Sequence, residues 1–207
     1  MLLGARQFFT TKSGNAEEAM YKELYEALVS RTLDDAIGPE VTAIGAYAFY
    51  GNTGPVTAVF PNVLAIGSSA FQNNTRLVEA NFQNATNGNV GVFQACSALK
   101  TVLLPNVTGL SSYSFYNCVS LELCDLSSWS PVNFNTGNFS NVGNNAPTKT
   151  DSYGNSYKCL VKIGRRASLS ISTANFPSGA PTTTKFECPD GYVIYDSATS
   201  SWKAVTA

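Results

Sequence analysis

Read as a string of apolar and polar positions, the chain from residue 37 to 127 repeats itself every 22 residues. Phe49, Phe71, Phe93 and Phe115 mark the register, inside the segments VTAIGAYAFYGN, NVLAIGSSAFQNN, TNGNVGVFQAC and VTGLSSYSFYNC. Val41, Val63, Ala85 and Val107 form a second column, and Ile44, Ile66, Gly88 and Leu110 a third, with Gly88 as the exception. Three more columns keep step: Leu77, Leu99 and Leu121; Ala58, Ala80, Val102 and Cys124; and Phe60, Phe82, Leu104 and Leu126. Columns this numerous over four copies define a repeat array, in which each unit buries its apolar side on its neighbours.

The spacing inside one copy predicts its elements. Leu77-x-x-Ala80-x-Phe82, Leu99-x-x-Val102-x-Leu104 and Leu121-x-x-Cys124-x-Leu126 end in a period-two alternation, the mark of a half-buried strand. Stacked copies place these strands side by side in one parallel sheet. The segments AYAF, SSAF, VGVF and SYSF predict a short helical turn with its Phe pointing inward. Asn62, Asn84 and Asn106 recur after the strands and predict a buried ladder of side-chain hydrogen bonds to the turn backbone. In the third copy, Gly88 and the polar run NATNGN predict a bulge or looser packing.

The flanks differ. NAEEAMYKELYEALVS, residues 15–30, carries an apolar stripe of Ala16, Met20, Leu24 and Leu28, with Ser13 or Asn15 as cap and Glu17 and Glu18 in the first turn. It predicts an amphipathic helix closing the open end of the array. After Leu126, an Asn-, Ser-, Gly- and Pro-rich stretch predicts irregular loop, with Trp129 and Phe134 sealing the last copy. KCLVKIG, SLSIS, TKFEC, GYVIYD and SWKAV then read as short strands. Cys159 and Cys188, in separate strands, are candidates for a disulfide in an oxidising setting.

The strand cadence L-x-x-L-x-L and the phrasing IGAYAFYGN…VFPNVLAIGSSAFQNNTRL resemble the BspA-like bacterial leucine-rich repeats, whose copies read approximately I-G-x-x-A-F-x-x-C-x-x-L. Cys96 and Cys118 stand at that family's Cys column, and Asn52 and Asn74 replace it in the first two copies. The resemblance covers residues 37–127. With the flanks it implies an α/β solenoid: a short leucine-rich-repeat array with one parallel β-sheet, an N-terminal helical cap (1–36), and a loop plus small C-terminal β cap (128–207). It also implies an extracellular or cell-surface setting and a role in adhesion or recognition. Such repeats occur in bacterial surface and secreted proteins, in some protist proteins and in phage-associated ones.

Composition narrows the chemistry. Charged residues are 13% of the chain, about half the usual share, and the net charge is −1. The nearest approach to a basic cluster is Lys162, Arg165 and Arg166, too short to follow a phosphate backbone, so nucleic acid is not expected as a partner. No run approaches the ~20 apolar residues of a membrane span, and MLLGARQFFTTK lacks the apolar core of a secretory signal. The absence of histidine removes Ser-His, Cys-His and His-metal arrangements. The five cysteines show no Cys-x-x-Cys spacing. Cys96 and Cys118 read as a stacked, buried thiol pair and Cys124 as core. Glycine-rich phosphate loops are missing. No metal, cofactor or catalytic residue is expected.

The outward strand positions, Thr57, Val59, Glu79, Asn81, Thr101, Leu103, Leu123 and Asp125, form a two-column patch across four strands. Val59, Leu103 and Leu123 would expose apolar surface there, the mark of an interaction site. The expected function is therefore non-catalytic binding of a protein or glycan. The alternative is a structural part of a surface or phage-tail assembly, with the patch used for homo-oligomerisation. Glu79 and Asp125 could serve as a hydrolytic carboxylate pair only if a pocket surrounded them; two strand spacings put their backbones roughly 10 Å apart. Tyr47, Tyr50, Tyr113 and Tyr116 fall on the opposite side.

Overall fold

The computed structural model describes residues 9–11, 41–54, 56–129, 137–164, 182–189, 191–196, 198–199 and 201–206. The expected helix at 15–30, Phe134 and the SLSIS strand lie outside the described residues. The rest is a β-solenoid in which each coil contributes two strands, joined by turns, to two separate sheets.

The first sheet holds β1 (Phe9–Thr11), β2 (Val41–Ile44), β4 (Ala65–Ile66), β6 (Asn87–Gly88) and β8 (Gly109–Leu110), in that order. The second runs from β3 (Thr57–Val59) through β5 (Glu79–Asn81), β7 (Thr101–Leu103), β9 (Leu123–Leu126), β12 (Cys159–Ile163) and β13 (Thr184–Cys188) to β14 (Gly191–Asp196) and β15 (Ser201–Thr206). Two parallel sheets thus replace the single one expected. The Ile44/Ile66 column marks a short strand of its own, too brief to show period-two alternation in sequence. The 22-residue register is kept: Thr57 pairs with Glu79, Glu79 with Thr101 and Thr101 with Leu123. Ile44, Ile66, Gly88 and Leu110 align likewise. At the near edge β1 runs antiparallel to β2 and covers it.

The Phe segments are not helical, and the described residues contain no α-helix. Instead they alternate two kinds of hydrogen bond. The N–H groups of Ala48, Tyr50 and Asn52 close tight turns onto Gly45, Tyr47 and Phe49, while those of Tyr47, Phe49 and Gly51 donate to Ser68, Ala70 and Gln72 of the next coil. An α-helix would consume every N–H within its own turn and leave the next coil unbonded. The alternation requires left-handed backbone at two recurring positions: Tyr47, Ser69, Gly91 and Tyr113, with φ 55–64°, and Gly51, Asn73, Ala95 and Asn117, with φ 60–65°. Gly and Asn recur there because they tolerate that conformation best.

Between the sheets the Phe column is a stack of rings. Centroids lie 4.9 Å apart for Phe49–Phe71, 5.5 Å for Phe71–Phe93 and 5.9 Å for Phe93–Phe115. Phe60 and Phe82 form a second stack at 5.6 Å. Phe139 adds a fifth layer, 5.6 Å from Phe115, with left-handed Gly137 and Asn141 at the corresponding turn positions. Residues 137–146, expected as loop, are therefore a fifth coil. Its 24-residue spacing from Phe115 breaks the register by two, and its Asn and Gly content resembles a loop in composition.

Two further expectations are corrected. The third copy does not bulge at Gly88: β6 pairs on both sides, and the space a side chain would fill holds Leu110 Cδ2, 2.9 Å from where a Cβ would sit. Cys159 and Cys188 are not joined in a disulfide. Cys159 pairs in register with Thr184, so Cys188 lies four residues further on, roughly 13 Å along the strand and beyond disulfide reach.

Candidate binding face

Strand alternation decides what the second sheet shows to solvent. Ala58, Ala80, Val102 and Cys124 are fully buried, and their neighbours on each strand point the other way. Thr57, Glu79, Thr101 and Leu123 line up in one row and Val59, Asn81, Leu103 and Asp125 in a second, all half-buried. The structure thus brings all eight expected residues onto one face. It also lengthens both rows: Leu123 pairs with Leu160 and Leu160 with Lys185, while Asp125 pairs with Lys162 and Lys162 with Glu187. These four continuations escaped the sequence reading because β12 and β13 arrive at irregular spacing.

The carboxylates of this face do not converge. Glu79 and Asp125 belong to different rows, two strands apart. Asp125 accepts hydrogen bonds from the N–H of Ser127, at 3.1 Å, and from its hydroxyl, which ties it to the turn after β9. Asn84 and Asn106 form the expected ladder, donating to Pro61 O and Gln83 O at 2.7 Å each. Both are exposed, however, because that turn lies at the rim of the coil.

A different column supplies the buried donors. Asn74 Nδ2 reaches Phe49 O at 2.7 Å, Cys96 Sγ reaches Phe71 O at 2.9 Å and Cys118 Sγ reaches Phe93 O at 3.1 Å. Asn and Cys exchange at this position because each is a compact donor able to meet the preceding coil's carbonyl. Burial pushes the thiols of Cys96 and Cys159 up to about 12 and those of Cys118 and Cys124 well above the ordinary range. They are core groups rather than nucleophiles. Among the described residues no group of three or more His, Cys, Asp or Glu could hold a metal ion.

At the far end the face changes character. A hairpin of β10 (Lys149–Thr150) and β11 (Ser156–Tyr157) covers Lys185, the last residue of the first row. Lys185 Nζ lies 2.8 Å from Asp151 Oδ2, with both side chains buried, and 4.2 Å from the centre of the Tyr192 ring. Asp151 Oδ1 also accepts the N–H groups of Tyr153 and Asn155 at 2.9 Å. Burial alone would raise the Asp151 carboxyl, but Lys185, the Asn155 amide and these two N–H groups outweigh it and hold the group well below the usual carboxylate range. At the hairpin's base Lys149 pairs with Glu122 at 2.9 Å. Nothing in the residues 149–157 announced this arrangement, since its partners Glu122, Lys185 and Tyr192 lie 27 to 37 positions away.

Coils of one register, stacked into two sheets with a continuous outward face, define a solenoid repeat protein. The chain matches the BspA type leucine rich repeat region over residues 30–145, in six copies, and belongs to that family. The match runs into the fifth coil. No curated protein and no solved structure matches the chain. Membership makes it a repeat-based interaction or surface module, and no helix among the described residues is long and apolar enough to cross a membrane.

Proposed function

We propose that the chain is a non-catalytic recognition module at a cell or particle surface, binding a protein or glycan through the outward rows of its second sheet. The observation that carries this reading is the pair of rows from Thr57 and Val59 to Lys185 and Glu187, held in register over six parallel strands. Neighbouring strands lie ~4.8 Å apart, so the face offers a rigid surface of about 24 Å along the second row and about 19 Å along the first. The first row ends at Leu160, where the hairpin covers Lys185, and on the face apolar Val59, Leu103 and Leu123 alternate with polar groups. Pre-organised contact residues of this kind lose little conformational entropy on binding.

Binding to arrays of extracellular proteins and glycans tests the reading, with Leu103→Glu and Leu123→Glu as the informative variants. A ligand retained by the wild-type chain and lost by both variants supports it. A stable homo-oligomer in light scattering that either variant dissociates transfers the face to self-assembly. Ligand binding unaffected by both changes removes the face from the function.

A further inference from the structure

The hairpin and the last two strands enclose a cleft of about 500 Å³, lined by Tyr153, Asn155, Tyr192, Ile194, Lys203 and Val205 among others. This is ample for a sugar unit or two, within the range of small-ligand sites. Its aromatic wall is fixed from below. Asn155 Nδ2 donates to Tyr192 Oη at 2.9 Å and lies within hydrogen-bonding distance of both Asp151 oxygens. Lys185 packs on the Tyr192 ring. The buried Asp151–Lys185 pair is thus a positioning device that sets the ring and neutralises its own charge. Tyr153 stands beside Tyr192 with centroids 5.7 Å apart and planes tilted by 34°, and is 71% exposed.

The chemistry of the lining selects a ligand class. An exposed tyrosine face carries negative π density and attracts polarised C–H groups, while phenol and amide groups serve hydroxyls. A ligand with one C–H face and a hydroxyl-bearing edge satisfies both, and that is a pyranose. A purely apolar ligand would leave the polar atoms unpaired. A phosphate calls for several convergent donors or cations, whereas among the described residues the lining offers one cation, Lys203, which is exposed and in no ion pair, and no carboxylate. We propose that this cleft binds an acidic sugar, a uronic or sialic acid unit of a glycan, with its ring on Tyr153 and its carboxylate at Lys203. The inference rests on the recognition reading above and names the ligand class for the far end of the same face.

The full chain, titrated by calorimetry and by NMR, tests this with a hyaluronan tetrasaccharide and 3′-sialyllactose as acidic probes and chitotetraose and lactose as neutral counterparts. The expected result is binding of at least one acidic probe, with its neutral counterpart weaker by about threefold, the size of one exposed ion pair. Tyr153→Ala, at an exposed hairpin position, weakens binding about tenfold or more, and Lys203→Gln reduces the acidic probe to the level of the neutral one. Failure of both acidic probes to bind, equal binding of the neutral sugars, or binding indifferent to Tyr153→Ala overturns the proposal. Leu103→Glu separates the two readings. Sugar binding that survives it while protein ligands are lost keeps both sites, sugar binding lost with it and kept in Tyr153→Ala returns the ligand to the strand rows, and a sheet-face ligand found with no sugar binding leaves only the recognition reading standing.

Discussion

The first four coils and the C-terminal strands build the same sheet by different means. In the coils, one strand follows another at 22 residues and the core is a column of like side chains, Phe on Phe and Ile on Ile. Beyond Leu126 the intervals become irregular, yet Leu160 and Lys185 still fall in register with Leu123. There the stack gives way to crossed rings: Phe139 still stacks on Phe115, but it meets Phe186 edge-to-face at 5.4 Å, and Phe186 meets Trp202 edge-to-face at 5.8 Å. The difference shows that the sheet's hydrogen-bond register and the filling of its interior are what the fold requires. Equal coil length is one way of meeting both.

Thiol chemistry sets half-buried Cys188 of the C-terminal strands apart from the buried thiols of both regions. With Cys96 and Cys159 raised from 9.0 to about 12, their thiolate fraction falls about a thousandfold, and burial blocks access as well. Iodoacetamide at pH 8, followed by mass spectrometry, is expected to label only half-buried Cys188 in the native chain and all five thiols in guanidinium. Rapid native labelling of Cys96 or Cys118 would show that the coils open as a matter of course.

Phe93→Ala removes the centre of the ring stack and is expected to cost about 4 kcal/mol, read as a lowered denaturant midpoint. A loss under 1 kcal/mol would mean the neighbouring coils close over the gap. Asp151→Ala leaves Lys185 buried without its partner, at a cost of about 3 kcal/mol. That loss should be confined to the hairpin, so hydrogen exchange rises at 149–157 and stays unchanged at 57–103.

The same pair responds to acid in a defined direction. The folded Asp151 carboxyl is depressed, so its contribution is fully present above the unfolded value of about 3.9 and is lost as pH falls from there toward the lower folded value. Protection factors at the hairpin, taken against the intrinsic exchange rate at each pH, should therefore fall below pH about 4 while the coils, which bury no comparable carboxylate among the described residues, hold. The smallest effect expected is a gain. Ala95→Gly relieves a left-handed alanine at φ 60° and should raise stability by about 1 kcal/mol, whereas the same change at Ala70, which is not among the positive-φ residues, should lower it.

Much of this was legible in the amino-acid sequence. The Phe, Val and Leu columns repeat, and repetition reports register directly, so the strands at 57–59, 79–81, 101–103 and 123–126 and their outward rows could be read off. The turn geometry was legible only in part. Gly51, Asn73 and Asn117 signal left-handed backbone, but Tyr47, Ser69, Ala95 and Tyr113 adopt it because the inter-coil ladder demands it. The fifth coil was hidden by a two-residue change of interval. The cleft was not legible at all, since Tyr153, Tyr192 and Lys203 share no period and meet only after β13 to β15 have extended the sheet.

The inter-coil hydrogen bonds at the Phe corner have an electrical consequence. Each runs from an earlier N–H to a later C=O: Tyr47 to Ser68, Phe71 to Val92, Ala95 to Tyr116, Asn117 to Ser140. Neighbouring strand dipoles in a sheet largely cancel, but the peptide groups of this corner point the same way through every layer, each with a moment of about 3.5 D. The corner is therefore a line of aligned dipoles whose positive end faces the C-terminal end of the stack, where Asn138 Oδ1 already accepts the N–H of Ser114 at 2.9 Å. Acceptors and anions are favoured at that end and cations at the other, a polarity built into the backbone whatever side chains the coils carry.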